Sequence, residues 1–164
     1  MSVAAALARL RAVAVKFPED ERPTFAPPAS ADAVEMLARA VGAPLPSELR
    51  DFLANTEKVV AMDVWNGYWI GGPVTLARSL TRGDYYPNAV DLRAAGGATI
   101  PFAGDGGGNG FDVALTDGRV WHWNHETGFA RAIAPSFSAF LERVVEDWEH
   151  AAAGDPAWRY LSGR

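Results

Sequence analysis

The stretch "IPFAGDGGGNGFDVALTDGRVWHWNHETG", residues 100–128, decides the fold of this 164-residue chain. Two strand-like runs, 111–115 and 120–124, flank Asp117 and Gly118. Asp-Gly between apolar runs predicts a hairpin, because both residues tolerate the positive φ that a two-residue turn demands. Such a loop sets the pairing. Leu115 opposes Val120, Ala114 opposes Trp121, Val113 opposes His122 and Asp112 opposes Trp123. One sheet face then carries Phe111, Val113, Leu115, Val120 and His122. The other carries Asp112, Ala114, Thr116, Arg119, Trp121 and Trp123. A one-residue change in the loop would exchange the faces, since side chains alternate with period two.

The glycine-dense run before the hairpin is tested against known chemistries. A dinucleotide fingerprint needs G-x-G-x-x-G between a strand and a helix. Gly104 and Gly106 fit, but Asn109 stands at the third glycine's place and a strand follows, so no helix N-terminus meets a phosphate. No lysine lies near enough to make a P-loop. Asp105, Asn109 and Asp112 are oxygen donors, yet they lack the alternate spacing and closing glutamate of a calcium loop. The run reads as a tight turn in which glycine and asparagine accept unusual backbone angles. His122 and His125 lie three apart on a strand, which points their rings to opposite faces rather than at one zinc ion. With no cysteine there is no disulfide and no thiolate ligand or nucleophile. No G-x-S-x-G elbow occurs, and no carboxylate pair is singled out for acid–base work. The expectation is a protein without catalytic residues, metal or cofactor.

Helices are expected on either side. Val3, Leu7, Leu10 and Ala14 recur at helical spacing over 2–16, with Ser2 as the cap. The segment 17–30 holds Pro18, Pro23, Pro27 and Pro28 and reads as a loop or tether. Residues 32–41 form a second helix, with Asp32 and Glu35 in a capping-box arrangement and Gly42 at its end. Pro44 and Pro46 separate it from a third, whose buried face is Leu49, Phe52 and Leu53. Residues 59–72 read as strands around Asn66-Gly67; 82–97 hold a loop and a short helix. After Pro135, Phe137, Phe140, Leu141, Val144, Val145 and Trp148 make the apolar stripe of a final helix capped by Ser136. A short tail packs Trp158 and Leu161 back on the body. The fold class is α+β: one mostly antiparallel sheet with N- and C-terminal helices packed against it. Residues 1–30 form an N-terminal helix and proline-rich loop, and 31–164 the main domain.

Composition narrows the partners. The net charge of −5 argues against nucleic acid, whose phosphates call for a basic face. It suits a basic protein partner, as well as plain solubility. No segment approaches the roughly 20 apolar residues of a membrane span. Arg9, Arg11 and Lys16 interrupt any signal-peptide core at the start. A cytoplasmic protein is expected.

Four motifs then appear in order. The first is Gly42, Leu45, Pro46, Leu49, Phe52 and Leu53. The second is Phe102, Ala103, Asp105, Gly106, Gly108 and Asn109. The third is Trp123, His125 and Glu126, and the fourth is Ser136, Phe137, Phe140 and Leu141. Together, over about residues 32–148, they resemble the SUKH superfamily, the Smi/Knr-type domain. The Asn-Gly expected soon after the helix pair comes only at Asn66-Gly67, and residues 1–30 have no counterpart. The resemblance implies an α+β domain without catalysis. Bacterial members are immunity proteins that bind and neutralise a toxin, often a nuclease, from polymorphic or contact-dependent toxin systems; fungal relatives act in cell-wall regulation and signalling. On that footing the glycine-rich turn and hairpin are expected to meet a cognate, basic toxin through Asp105, Asn109, Asp112, Trp121, Trp123, His125 and Glu126. The alternatives are a regulatory domain of the same fold without a toxin, and a metal- or ligand-binding enzyme using residues 105–126.

Overall fold

The computed structural model describes residues 1–62, 64, 67–83 and 98–155. Among these, five helices pack on a seven-stranded antiparallel sheet whose strands are ordered as they occur in the chain. The expected α+β class is observed. The strands are β1 (Thr24–Phe25), β2 (Lys58–Ala61), β3 (Tyr68–Gly71), β4 (Thr99–Asp105), β5 (Gly110–Ala114), β6 (Val120–Trp123) and β7 (Ala130–Ala134). The helices are α1 (Val3–Ala14), α2 (Ala31–Val41), α3 (Ser47–Asn55), α4 (Pro73–Arg82) and α5 (Phe137–Ala152).

Local chemistry sets the helix ends. Ser2, Ser30 and Ser136 each cap a helix by accepting a backbone N–H from three residues ahead, those of Ala5, Ala33 and Ala139. The cap of α2 is therefore Ser30, two residues earlier than the Asp32 expected, because its side chain already satisfies the orphan donor there. Gly42 ends α2 in the left-handed conformation. A more distant cap holds α5. Glu48, in the first turn of α3, accepts from the Ser138 N–H and hydroxyl, both at 2.8 Å. The first and fourth sequence motifs are thus joined by two hydrogen bonds.

The core lies between one sheet face and the helices. Phe102 packs edge-on against Phe137 and Phe140, with ring centroids 4.8 and 5.1 Å away, and Phe111 lies 5.5 Å from Phe140. Residues 17–30 are more than a loop. β1 pairs with β2, the Thr56 hydroxyl donates to the Ala26 carbonyl at 2.6 Å, and Phe17 and Phe25 flank the buried Trp148. The apolar face of α1 joins the same core, and Arg9 pairs with Glu149 of α5 at 3.0 Å.

The hairpin differs in register from the sequence expectation. Val113 opposes Val120, Phe111 opposes His122, Asp112 opposes Trp121 and Gly110 opposes Trp123. The loop takes four residues, 115–118. The Gly118 N–H donates to the Ala114 carbonyl and the Asp117 carboxylate accepts from the Arg119 N–H, so Leu115 and Thr116 are drawn out of the strand. Because the slip is a full period of two, the assignment of side chains to faces stands. Three elements were not expected from the sequence: β1, α4 and β7. The Asn66 half of the Asn-Gly turn, the segment 84–97 and the tail with Trp158 and Leu161 lie outside the described residues.

Candidate functional site: a rim of three linked turns

In an up-and-down sheet, alternate turns fall at one end. Here the β2–β3, β4–β5 and β6–β7 turns share an end and are hydrogen-bonded to one another. The Gly106 N–H donates to the Gly67 carbonyl at 2.7 Å, joining the first two. Asn109 joins the last two, as its side-chain oxygen accepts from the His125 N–H at 3.1 Å and lies 3.1 Å from His125 Nδ1. The His125 ring also lies against Gly108, where a Cβ would sit 3.3 Å from Nδ1.

Asp105 builds the middle turn. Its Oδ1 accepts from the N–H groups of Gly107 and Asn109 at 2.9 and 2.8 Å, and its Oδ2 accepts from Asn109 Nδ2 at 2.8 Å. The carboxylate does the work of a backbone acceptor in an Asx-type turn. Asp105 and Asn109 are half-buried; Gly106, Gly107 and Gly108 are exposed and leave the turn bare of side chains.

Asn124 builds the third turn. Its side-chain oxygen accepts from the N–H groups of Glu126 and Thr127 at 2.9 and 3.0 Å and from the Thr127 hydroxyl at 3.2 Å. Thr127 Oγ1 in turn accepts from the Phe129 N–H, while the Phe129 carbonyl accepts from the Asn124 N–H. This fixed backbone carries His125, Glu126 and Phe129 outward, and the Phe129 side chain is 61 % exposed. At the other end of the rim Met62 is 64 % exposed. Neither Phe129 nor Met62 was singled out from the sequence. A single exposed apolar residue carries no signal by itself, and only the topology brings the two to one edge.

The remaining predicted residues lie elsewhere. Across the sheet's second face runs a row in which Trp69 opposes Gly104, Gly104 opposes Gly110 and Gly110 opposes Trp123. Each indole lies over its neighbouring glycine. A Cβ on Gly104 would come 3.0 Å from Trp69 Nε1, and one on Gly110 only 2.0 Å from Trp123 Nε1. A bulge between Pro101 and Ala103 lets β4 send Phe102 into the core and still turn Gly104 to this face. Trp123 is 8 % exposed and packs with Trp121 and Ala130. Asp112 is wholly buried and accepts from the Thr99 hydroxyl at 2.6 Å. The structure therefore brings Asp105, Asn109, His125 and Glu126 together at the rim. It sets Trp121, Trp123 and Asp112 on the sheet's second face, with Asp112 wholly buried there.

His122 sits behind the rim on the core face, 4.9 Å from the Phe111 ring, with Nε2 buried and without a hydrogen-bond partner among the described residues. Burial holds its pKa below the usual histidine value; the Asp105 carboxylate pulls the other way, and Arg131 adds to the lowering. No group of three or more His, Cys, Asp or Glu arranged to hold a metal occurs among the described residues.

The chain's sequence matches the SMI1 / KNR4 family (SUKH-1) over residues 28–143, more than half its length. It belongs to that family. No curated protein matches the chain. The match begins at the end of the proline-rich stretch and stops within α5, so it takes in every strand from β2 to β7 and all three turns of the rim. A SUKH domain implies a protein partner in general. No helix among the described residues is long and apolar enough to cross a membrane.

Proposed function

We propose that this SUKH-family protein is an immunity-type inhibitor that neutralises a cognate toxin by stoichiometric binding in the cytoplasm, without catalysis. Membership of the family carries the reading. The chain's charge is of the right sign for it. A toxin that handles nucleic acid needs a basic face to hold phosphate, and an acidic inhibitor associates faster with such a face through electrostatic steering. The net charge of −5 is modest but favourable.

Co-expression tests the reading. The product of the gene next to this one is expressed alone and with this protein, and growth and complex formation are followed. Toxicity alone, rescue on co-expression and a 1:1 complex on gel filtration are expected. A harmless neighbour, or a toxic one that this protein neither binds nor neutralises, removes the toxin from the reading and leaves a regulatory SUKH domain.

A further inference from the structure

We infer that the partner is held by the rim of three linked turns, with Phe129 as the main anchor at one end, Met62 as a second one at the other, and Glu126 facing a basic surface. The inference rests on the proposed binding function and assigns it a surface.

The observations converge on this edge. Phe129 and Met62 are among the most exposed apolar side chains of the described residues, and both stand on turns tied to the glycine turn between them. Phe129 is held in place before any partner arrives. Its N–H and carbonyl are both bonded within the turn, so little backbone freedom is lost on binding. Four strand spacings separate the outer two turns, about 19 Å. That span suits one side of a standard interface, roughly 800 Å² per partner. Between the anchors, Gly106, Gly107 and Gly108 offer backbone with no side chains, so a partner can approach closely.

Charge selects the partner. Residues 105–109 and 124–129 include Asp105 and Glu126 but no lysine or arginine. The middle turn and the Phe129 end of the rim therefore carry acidic side chains beside the aromatic. The surface it fits is a basic protein with an apolar pocket for Phe129. Aromatic side chains in such pockets dominate binding energy, whereas surrounding contacts mainly exclude water.

Affinity for the catalytically inactivated neighbouring toxin is measured for wild type, Phe129→Ala, Glu126→Lys and, as a control, Val15→Ala, which is exposed on the first helix's end. Phe129→Ala is expected to weaken binding by about 30-fold or more, the level of an interface hot spot, mainly through faster dissociation. Glu126→Lys should slow association several-fold at low salt, and Val15→Ala should stay within about twofold. Full affinity of Phe129→Ala overturns the inference while leaving the toxin reading intact.

A second arm does not need the neighbour. A photo-crosslinking amino acid is placed at 129, 62, 15 or 36 in producing cells. Crosslinks from 129 and 62 to one basic protein, absent at 15 and 36 and matched by purified binding that Phe129→Ala weakens, support the rim even if that protein is no toxin. Crosslinks only at 15 or 36, or none at 129 and 62, overturn it.

Discussion

Gly110→Ala is predicted to destabilise this protein through one contact. An added Cβ would lie 2.0 Å from Trp123 Nε1, 2.6 Å from Cε2 and 3.0 Å from Cζ2. Carbon contacts are comfortable at about 3.5 Å, so the indole must rise or the strands must part. Gly110 is not among the glycines with positive φ, and alanine meets no backbone penalty there. The clash is the whole cost. If the ring lifts so that about half of its roughly 200 Å² returns to water, the loss is about 2.5 kcal/mol at 25 cal/mol per Å². If it stays, overpacking costs about 1–3 kcal/mol. Replacing glycine offsets some 0.4–1 kcal/mol by restricting the unfolded chain. The net expectation is about 2 kcal/mol, or a Tm lowered by about 4–8 °C.

Urea unfolding gives the measurement, with the midpoint shifted and the slope unchanged. The decisive comparison is Gly110→Ala made in a Trp123→Leu background, where the indole is gone and the cost should fall below about 0.5 kcal/mol. Coupling of that size is usual for residues in direct contact. A cost that is negligible in the wild-type background, or equally large in both, refutes the idea that the glycine exists to seat the tryptophan. Gly104→Ala makes a looser contact, 3.0 Å from Trp69, and should cost clearly less than Gly110→Ala.

Three further outcomes are expected. Asp105→Ala removes the acceptor of two backbone N–H groups and one amide; a loss of about 2 kcal/mol in urea, with faster hydrogen exchange at Gly107 and Asn109, should follow. Glu48→Ala deprives Ser138 of its partner for both N–H and hydroxyl and should cost about 1–2 kcal/mol, the range of a lost helix cap, whereas Glu48→Gln should cost less. His122 has its pKa lowered in the fold by burial, so the unfolded chain takes up its proton more readily. Its contribution is complete above the unfolded value of about 6.5 and is lost as pH falls through that value toward the lower folded one; a drop in stability from pH 7.5 to 5.5 that His122→Leu does not shrink would show that other groups are responsible.

The sequence foretold the elements with strong local signals. Serine caps at Ser2 and Ser136, the glycine end at Gly42 and threefold-fourfold apolar stripes place α1, α2 and α5 to within about two residues, and Leu49, Phe52 and Leu53 mark the buried face of α3. It missed β1, α4 and β7, of which only α4 carried a clear signal. Pro73 after Gly72, Leu76, Ala77 and Leu80 at helical spacing and a left-handed Gly83 mark α4. The five residues of β7 are mostly alanine and too short to register against the alanine-rich background. The hairpin register escaped because Asp-Gly is compatible with both a two- and a four-residue loop, and the choice rests on where Ala114 and Gly118 bond. At the rim, Asp105, Asn109, His125 and Glu126 were legible as turn and hairpin residues. Phe129 and Met62 were not, because nothing local joins residues 67 positions apart; the order of the strands does.

The rim divides its labour between residues that the fold consumes and residues that it leaves free. Asp105 and Asn109, which carry much of the family resemblance, commit their hydrogen-bonding groups to the frame, Asp105 within its own turn and Asn109 to Asp105 and the next turn, so their substitution acts first on stability. Phe129, Met62 and Glu126 extend from that frame, and changing exposed side chains of this kind usually alters stability by less than about 0.5 kcal/mol. A partner-selecting surface built this way can change its specificity at almost no cost to folding. The same separation makes the assignment testable by transplantation. Replacing the exposed residues of this rim with those of another family member, while keeping Asp105, Asn109, Asn124 and the glycines, should leave the urea midpoint in place and move the binding preference. If the preference instead follows residues on α1 or α2, the frame is only a frame and selection takes place on the helices.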